Sequence, residues 1–159
     1  IFKKDEVIPG VNDSKKLSEK KREFLYNEIK MRALGVGVGI VDEKVIDEIN
    51  ILNATYLAMK MAVENLTIKP DFILLDAVSL NDLNIPQKPI VKGDCLSLSI
   101  AAASIIAKVE RDRMICEYGK IYPLYGFSKH KGYGTKYHMD AIRNMGVLPV
   151  HRKSFLKNI

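Results

Sequence analysis

Residues 90–113 read IVKGDCLSLSIAAASIIAKVERDR, the most informative pattern in the chain. A cation, a glycine and an acid, Lys92-Gly93-Asp94, stand directly before apolar residues that recur at helical spacing. The spacing predicts one long helix with Asp94 at its N-terminus, where the macrodipole and the unpaired backbone N–H groups favour an ionised carboxylate. Asp94 therefore either caps this helix or binds a cation.

A second isolated acid, Asp76, ends the apolar run 72–75 and lies eighteen residues before Asp94. The run predicts a buried strand, and in open α/β sheets ligands bind at the carboxyl ends of strands. An irregular connection is expected over 81–89, and residues 90–91 are expected to form a short edge strand that leads back to Asp94. Single acids at a strand end and at the next helix start can hold a divalent metal, although two ligands are too few for catalysis on their own.

The remaining helices are predicted from their caps and from apolar spacing. One runs from Ser18 to about Met31, with Asp13 or Ser18 as its cap. A second runs from Asp42 up to Lys69-Pro70, with Asn50 as a candidate break, and a last one covers about 136–145 and ends at Gly146. The acids that begin the second helix are interpreted as complementing its dipole rather than as metal ligands.

Residues 33–41, ALGVGVGIV, alternate glycine with β-branched residues. This pattern predicts a strand with one nearly bare face, which another element can approach closely. The glycine spacing lacks the third position of a dinucleotide-binding fingerprint, and no helix start follows it.

The bulk composition describes an ordinary globular chain: 159 residues, 47% hydrophobic and 28% charged, expected to form one domain over residues 1–159. No apolar run approaches the roughly 20 residues that span a bilayer, and no signal peptide is recognisable, so we expect a cytoplasmic protein. Cys95 and Cys116 fall at opposite ends of the predicted long helix and are expected to stay reduced. Because the chain opens with Ile1, we expect it to begin inside a longer product.

Basic residues cluster in 15–22, 129–136 and 143–157, and the net charge of +6 suits a polyanionic partner such as a nucleic acid. The segment Asp13-Ser14-Lys15-Lys16 offers hydroxyl, ammonium and backbone donors that can hold a phosphate; the alternative is a capped helix with solvated lysines. Residues 128–136 alternate aromatic residues with lysines and glycines, a pattern that can stack on a sugar or base; the alternative is an Ω-loop with one or two buried tyrosines. The three histidines have no zinc spacing with either cysteine.

Seven strings in this order resemble bacterial ribonuclease HII, of the type 2 ribonuclease H family. They are NDSKKLS (12–18), PDFILLD (70–76), VKGD (91–94), AASIIAKV (102–109), RDR (111–113), KHKGYGT (129–135) and HRKSF (151–155). They cover nearly the whole chain, and as a set they are highly specific.

The resemblance implies a ribonuclease-H-like α/β fold, with a mixed central sheet flanked by helices. It implies an endonuclease that cuts the RNA strand of RNA–DNA hybrids and single ribonucleotides in duplex DNA, using four carboxylates and Mg²⁺ or Mn²⁺. Asp76 and Asp94 match the third and fourth of those carboxylates, which makes them the expected catalytic and metal-binding residues. The expected substrate-binding residues are Asp13, Ser14, Lys15, Lys16, Lys92 and Tyr133, and the expected state is a monomer.

The chain departs from the family at its start. The family carries its first two carboxylates in an N-terminal Asp-Glu-x-Gly-Arg-Gly motif, whereas Asp5-Glu6 here is followed by Val-Ile-Pro-Gly. We assign no catalytic role to Asp5 or Glu6, and we expect the first strands of the sheet to lie outside the 159 residues. The alternative function is therefore a non-catalytic module that binds hybrid duplexes through its basic loops.

Overall fold

The structure is a computed structural model that describes residues 1–81 and 83–156. Its helices and strands are α1 (Glu19–Arg32), α2 (Glu43–Glu64), β1 (Ile73–Asp76), β2 (Gln87–Ile90), α3 (Gly93–Leu96), α4 (Leu98–Ile121), α5 (Phe127–His130) and α6 (Lys136–Met145), with 3-10 turns at Pro123–Tyr125 and Lys153–Phe155. The chain divides into two compact units, the first made of residues 1–40 and 55–109 and the second of residues 41–54 and those from 110 onward. Within the described ranges, no helix is long and apolar enough to traverse a lipid bilayer.

Helix α1 begins where the sequence predicts. The Ser18 hydroxyl accepts a 3.3 Å hydrogen bond from the Lys21 backbone N–H, so Ser18 rather than Asp13 is the cap. The inner face of α1 packs in the core of the first unit, which consists of Ile8, Leu25, Tyr26, Ile29, Ala102, Ile105, Ile106 and Val109. This core anchors the α4 residues that follow the predicted metal-binding segment.

Residues 33–41 do not form the predicted strand, so that prediction was wrong. A strand is defined by its ladder of hydrogen bonds, and here the Val38 carbonyl instead accepts a 2.8 Å bond from the Asn65 side chain. The expectation of a close approach is confirmed. A Cβ at Gly37 or Gly39 would lie about 2 Å from a carbonyl oxygen of α2, so the backbone of α2 occupies the space beside the bare face.

The candidate break in the second helix is confirmed at Asn50. Its φ of 67° is left-handed, and its Oδ1 accepts hydrogen bonds from the N–H groups of Leu52 (3.0 Å) and Asn53 (3.1 Å). With ψ at 165°, Asn50 lies outside the helical region and interrupts the helix, and its side chain caps the helix that resumes after it.

Strands β1 and β2 pair in parallel, with Ile73 opposite Gln87 and Asp76 opposite Ile90. A strand that ends at Asp76 is confirmed, but it is only partly buried, because Leu75 is buried while Phe72 is exposed and precedes the strand. Strand β2 begins and ends earlier than expected and takes up the end of the connection predicted to be irregular. In that connection, which includes Asp82 outside the described residues, the Gln87 amide bonds both the N–H and the carbonyl of Leu80 at 2.7 Å. The side chain of Gln87 thus ties the connection to the start of β2.

The predicted long helix is interrupted at Ser97, which is extended (φ −128°, ψ 125°) and separates α3 from α4. The two cysteines therefore lie in different helices, and the prediction that they end the same helix was wrong, although both are free. Ser97 is a good interruption because its hydroxyl accepts a 3.5 Å bond from the Ile100 N–H and caps the restart.

In the second unit, α6 has the predicted bounds: Thr135 accepts a 3.3 Å bond from the His138 N–H at its start, and Gly146 follows its end. The core of this unit consists of Tyr125, Phe127, Ala141 and Ile142, with partly buried side chains of α4, α6 and residues 148–156 around them. The last described residues form a 3-10 turn, Lys153–Phe155, where the sequence suggested only a basic end.

Candidate metal-binding and nucleic-acid-binding site

Asp76 is the last residue of β1, and its side chain is exposed. One carboxylate oxygen, Oδ1, accepts a 2.9 Å hydrogen bond from the backbone N–H of Gly93. The neighbouring Ala77 N–H donates to the Ile90 carbonyl at 3.1 Å, so the parallel pairing continues one residue beyond the strand. The pairing and the side-chain bond together bring the end of β1 to the start of α3.

Asp94 lies in the first turn of α3 and is half-buried. The turn before it depends on Lys92, whose φ of 56° is left-handed and whose carbonyl accepts a 3.0 Å bond from the Cys95 N–H. Gly93 is buried, and an added Cβ would lie 2.4 Å from Ile100 Cδ1, so only glycine fits here without movement. The VKGD string thus places an acid in a tight turn whose glycine N–H already holds a second acid.

The structure brings Asp76 to the turn that carries Asp94, because Gly93, whose N–H donates to Asp76, directly precedes Asp94. Among residues 1–81 and 83–156, no group of three or more His, Cys, Asp or Glu side chains is arranged to hold a metal ion. Two carboxylates are compatible with hard cations such as Mg²⁺ or Mn²⁺, which prefer oxygen ligands and retain several waters.

The predicted phosphate-binding segment, Asp13 to Lys16, lies in the same unit. Its first residue forms a local turn, in which Asp13 Oδ1 accepts a 2.9 Å bond from the Lys15 N–H. Ser14 is buried, and its carbonyl accepts a 2.9 Å bond from Arg22, so its hydroxyl is not presented on an open surface. Lys15 and Lys16 are exposed, and Lys16 Nζ lies 3.9 Å from Cys95 Sγ, which brings this lysine to α3.

Tyr133 belongs to the second unit, and 58% of its surface is exposed. The Arg111 guanidinium carbon lies 5.4 Å from the centre of the tyrosine ring, and Arg111 Nη1 donates a 3.0 Å bond to the Lys131 carbonyl. These contacts give an exposed aromatic face bordered by positive charge, a combination that suits stacking on a nucleotide. The alternative of a buried tyrosine does not apply to this residue.

Sequence reasoning missed a cluster of buried histidines in the second unit: His130, His138 and His151. Burial lowers the pKa of His138 and His151, the positive charge of neighbouring histidines lowers each further, and the hydrogen bonds to Tyr133 and Leu148 partly oppose the change. The available signal was helical spacing, since His138 precedes the buried Ala141 and Ile142 by three and four residues.

Sequence reasoning also missed the role of Asp47. Its carboxylate accepts bonds from the backbone N–H groups of Lys153 (2.7 Å) and Ser154 (3.0 Å), and from the Ser154 hydroxyl. The hydrogen bond from the Ser154 hydroxyl is the largest cause that holds the pKa of Asp47 below its usual value, and the backbone hydrogen bonds add to it. Asp42 instead caps α2 by accepting a 2.9 Å bond from the Val45 N–H.

Residues 5–158 match the family model described as Ribonuclease HII. The chain is 59% identical over 159 residues to the Ribonuclease HII of Clostridioides difficile and covers 62% of that protein. It is 60% identical over 158 residues to the Ribonuclease HII of Acetivibrio thermocellus and again covers 62%. The chain therefore spans about three fifths of the length of these curated relatives.

The structure resembles the crystal structure of the ribonuclease H2 from Pyrococcus horikoshii OT3, with a TM-score of 0.75 and 26% sequence identity. The match covers 91% of this chain and 76% of the other. This likeness confirms the expected ribonuclease-H-like α/β fold. Since the family model matches nearly the whole chain, this chain belongs to the ribonuclease HII family.

Proposed function

We propose that the chain is part of a metal-dependent endonuclease that hydrolyses the RNA strand of RNA–DNA hybrids and cuts at ribonucleotides embedded in duplex DNA. The reaction is phosphodiester hydrolysis that leaves 3′-hydroxyl and 5′-phosphate ends. Family membership supports the reaction class. The observation that carries the assignment to residues is the bond from Gly93 to Asp76, because it joins the two segments that carry the expected acids.

Asp76 and Asp94 are the residues proposed to hold Mg²⁺ or Mn²⁺. The Gly93 N–H occupies Oδ1 of Asp76, and Oδ2 remains for a cation. When bound, the metal supplies Lewis-acid stabilisation of the negative charge that develops on the phosphodiester. The protein's own task is to place both carboxylates correctly, and the Gly93 N–H does so for Asp76 by donating to its Oδ1.

The exposed lysines of the first unit, Lys15, Lys16 and Lys92, are proposed to bind the phosphate backbone. Asp13 and Ser14 are proposed to support this binding by positioning the lysines. The Asp13 carboxylate stabilises the turn that carries Lys15 and Lys16, and the buried Ser14 anchors this turn in the protein. Tyr133 is proposed to stack on the sugar next to the cleaved position. The cytoplasmic location, the monomeric state and the single-domain organisation stay predictions.

The proposal is tested by incubating the chain with an end-labelled RNA–DNA hybrid and Mg²⁺ or Mn²⁺. Asp76→Asn is the informative variant, because asparagine keeps the Oδ1 that accepts from Gly93, while it removes the charge and replaces the proposed metal-binding Oδ2 with an amide nitrogen. We expect this change to nearly abolish cleavage while hybrid binding stays within about twofold. Asp71→Asn is the matched control, since it removes an exposed acid beyond the opposite end of β1 and should leave cleavage unchanged.

Calorimetric titration with Mn²⁺ separates the enzyme from the binding module. We expect Asp76→Asn and Asp94→Asn each to weaken Mn²⁺ binding, and Asp71→Asn to have no effect. Hybrid binding without cleavage or Mn²⁺ binding would instead support the alternative, a non-catalytic module. Full cleavage by Asp76→Asn would refute the assigned site.

A further inference from the structure

The buried histidines form a connected group in the second unit, with exposed fractions of 9% for His130, 3% for His138 and 6% for His151. The rings of His130 and His138 stack with centroids 4.2 Å apart. The centre of the Phe127 ring lies 5.3 to 5.8 Å from the centres of all three histidine rings. Buried imidazoles require a partner for each nitrogen, so the hydrogen bonds of this group determine its protonation.

Two of the three tautomers follow directly from backbone donors. The Leu148 N–H donates to His151 Nδ1 at 2.8 Å, so the His151 proton is on Nε2. The Gly132 N–H donates to His130 Nδ1 at 3.1 Å, so the His130 proton is also on Nε2, where it bonds the Tyr125 carbonyl at 2.7 Å. Both rings are neutral in this arrangement.

The tautomer of His138 follows from that of His151. His151 Nε2 lies 3.0 Å from His138 Nε2, so His151 donates and His138 accepts. The His138 proton is therefore on Nδ1, which lies 3.0 Å from the Tyr133 carbonyl and donates to it. The bonds run in one direction, from Leu148 through His151 and His138 to Tyr133. Every ring nitrogen has a partner, so no lone pair is left for a metal ion.

Further bonds hold the backbone around Tyr133. Its N–H donates to the His130 carbonyl at 2.9 Å, and its carbonyl also accepts from the Thr135 N–H at 2.8 Å. The backbone of Tyr133 is thus held on both sides while its ring stays exposed. A rigid aromatic platform loses less conformational entropy when a nucleotide stacks on it.

We propose that His138 is a positioning residue for Tyr133, and that the His151-to-His138 hydrogen bond sets the tautomer that this role needs. The proposal rests on the proposed function, because it assumes that Tyr133 stacks on the substrate. A proton added to His138 Nε2 would face the N–H of His151 and break the chain of bonds, so the platform loosens in mild acid. The lowered pKa values of His138 and His151 agree with a neutral group.

Other titratable or charged side chains also lie on the elements around the histidines. They are Arg111 and Asp112 on α4, Tyr125 on the 3-10 turn Pro123–Tyr125, Lys131 directly after α5, Tyr137 on α6, and Arg152 next to His151 in the sequence. Arg111 bonds the Lys131 carbonyl and lies 3.6 Å from Asp112, and Lys131 Nζ lies 2.9 Å from Cys116 Sγ. The charges of Arg111 and Lys131 are thus engaged beside the group.

The tautomers are tested by long-range ¹H–¹⁵N correlation spectra of the ¹⁵N-histidine-labelled chain at pH 7.5. We expect a proton on Nδ1 of His138 and on Nε2 of His130 and His151. A proton on Nε2 of His138 would overturn the proposal. This measurement uses the unchanged chain without substrate, so it decides the hydrogen-bond arrangement whether or not the chain binds nucleic acid.

The effect on Tyr133 is tested by fluorescence anisotropy with a labelled RNA–DNA hybrid in EDTA, which prevents cleavage. His138→Asn carries an amide N–H near the Nδ1 position and should bind within about twofold of the parent, whereas His138→Gln carries it near Nε2 and should bind about tenfold more weakly. Tyr133→Ala should lose about tenfold as well, and combining it with His138→Gln should cause no further loss. Ile142→Val on the same helix is the structural control, expected to lower stability without weakening binding.

The outcomes separate the two proposals. Equal binding by His138→Gln and the parent, or a loss that adds in full to that of Tyr133→Ala, would overturn the positioning role. A parent chain that binds no hybrid would overturn the proposed function and with it the role of His138 in substrate binding, while the spectra still decide the tautomers. Circular dichroism shows whether each variant folds. If either His138→Asn or His138→Gln does not fold, the other variant and the ¹H–¹⁵N spectra of the unchanged chain still test the proposal.

Discussion

The Gly93 backbone N–H donates a 2.9 Å hydrogen bond to Oδ1 of Asp76, across seventeen residues of sequence. The bond requires both a strand that ends at Asp76 and a turn that buries Gly93 against Ile100. The geometry of the candidate metal site therefore depends on the packing behind it as well as on the acids themselves.

We expect Gly93→Ala to destabilise the chain by about 1–3 kcal/mol, because the added Cβ would lie 2.4 Å from Ile100 Cδ1. It should also weaken Mn²⁺ binding, since the turn must shift to relieve the contact. Urea unfolding and calorimetry measure both effects. Gly134→Ala is the control, because its Cβ would meet only Met139 Cε at an ordinary 3.7 Å.

The glycines of 33–41 give a second matched pair. Gly37→Ala would place a Cβ 2.0 Å from the Ala62 carbonyl oxygen, which belongs to the backbone and cannot rotate away. We expect a loss of about 3 kcal/mol or more in the free energy of unfolding, measured in urea. Gly35→Ala meets Leu66 Cδ2 at 3.7 Å and should cost less than about 1 kcal/mol; equal losses from the two changes would contradict the close approach to α2.

Stability should fall in mild acid. His138 and His151 have pKa values lowered from the ordinary 6.5, so the unfolded chain takes up protons at a higher pH than the folded chain does. Their contribution is complete above about pH 6.5 and is lost as the pH falls through the lowered folded-state pKa values. Urea unfolding between pH 7.5 and 5.5 measures this loss.

His151→Gln serves as the control for the pH series. It removes one of the two titrating rings and keeps an amide donor near the Nε2 position, so stability should depend less on pH between 7.5 and 5.5 than in the parent. A parent chain that is as stable at pH 5.5 as at pH 7.5 would show that the histidines are not held neutral.

Asp47→Ala should release the 3-10 turn Lys153–Phe155, because the carboxylate accepts from the N–H groups of Lys153 and Ser154. We expect faster amide hydrogen exchange at both residues, measured by NMR, with little change in the core of the unit. The exposed neighbour Glu48→Gln is the control. Unchanged exchange at Lys153 and Ser154 in Asp47→Ala would show that these bonds do not hold the turn.

For Asp76 and Asp94, the sequence predicts the element on which each residue lies. The apolar run predicts a strand that ends at Asp76, and the VKGD string predicts a helix start at Asp94; both are confirmed. Their roles as metal ligands stay predictions. The hydrogen bond from the Gly93 N–H to Asp76 Oδ1, which joins the two segments, could not be predicted from the sequence. It depends on the parallel pairing of β1 with β2.

The sequence by itself determined the features that depend on neighbours within a few residues. Ser18 caps α1, Asn50 interrupts α2, and Thr135 and Gly146 bound α6, because each uses a hydrogen bond or backbone preference within one helical turn. The tertiary structure alone decided that 33–41 packs on α2 without a ladder, that Asp47 holds Ser154, and that His138 and His151 share one hydrogen-bond chain on which His130 stacks. These contacts join residues far apart in sequence, so their partners are chosen by packing and by the need to satisfy buried polar groups, which no local pattern encodes.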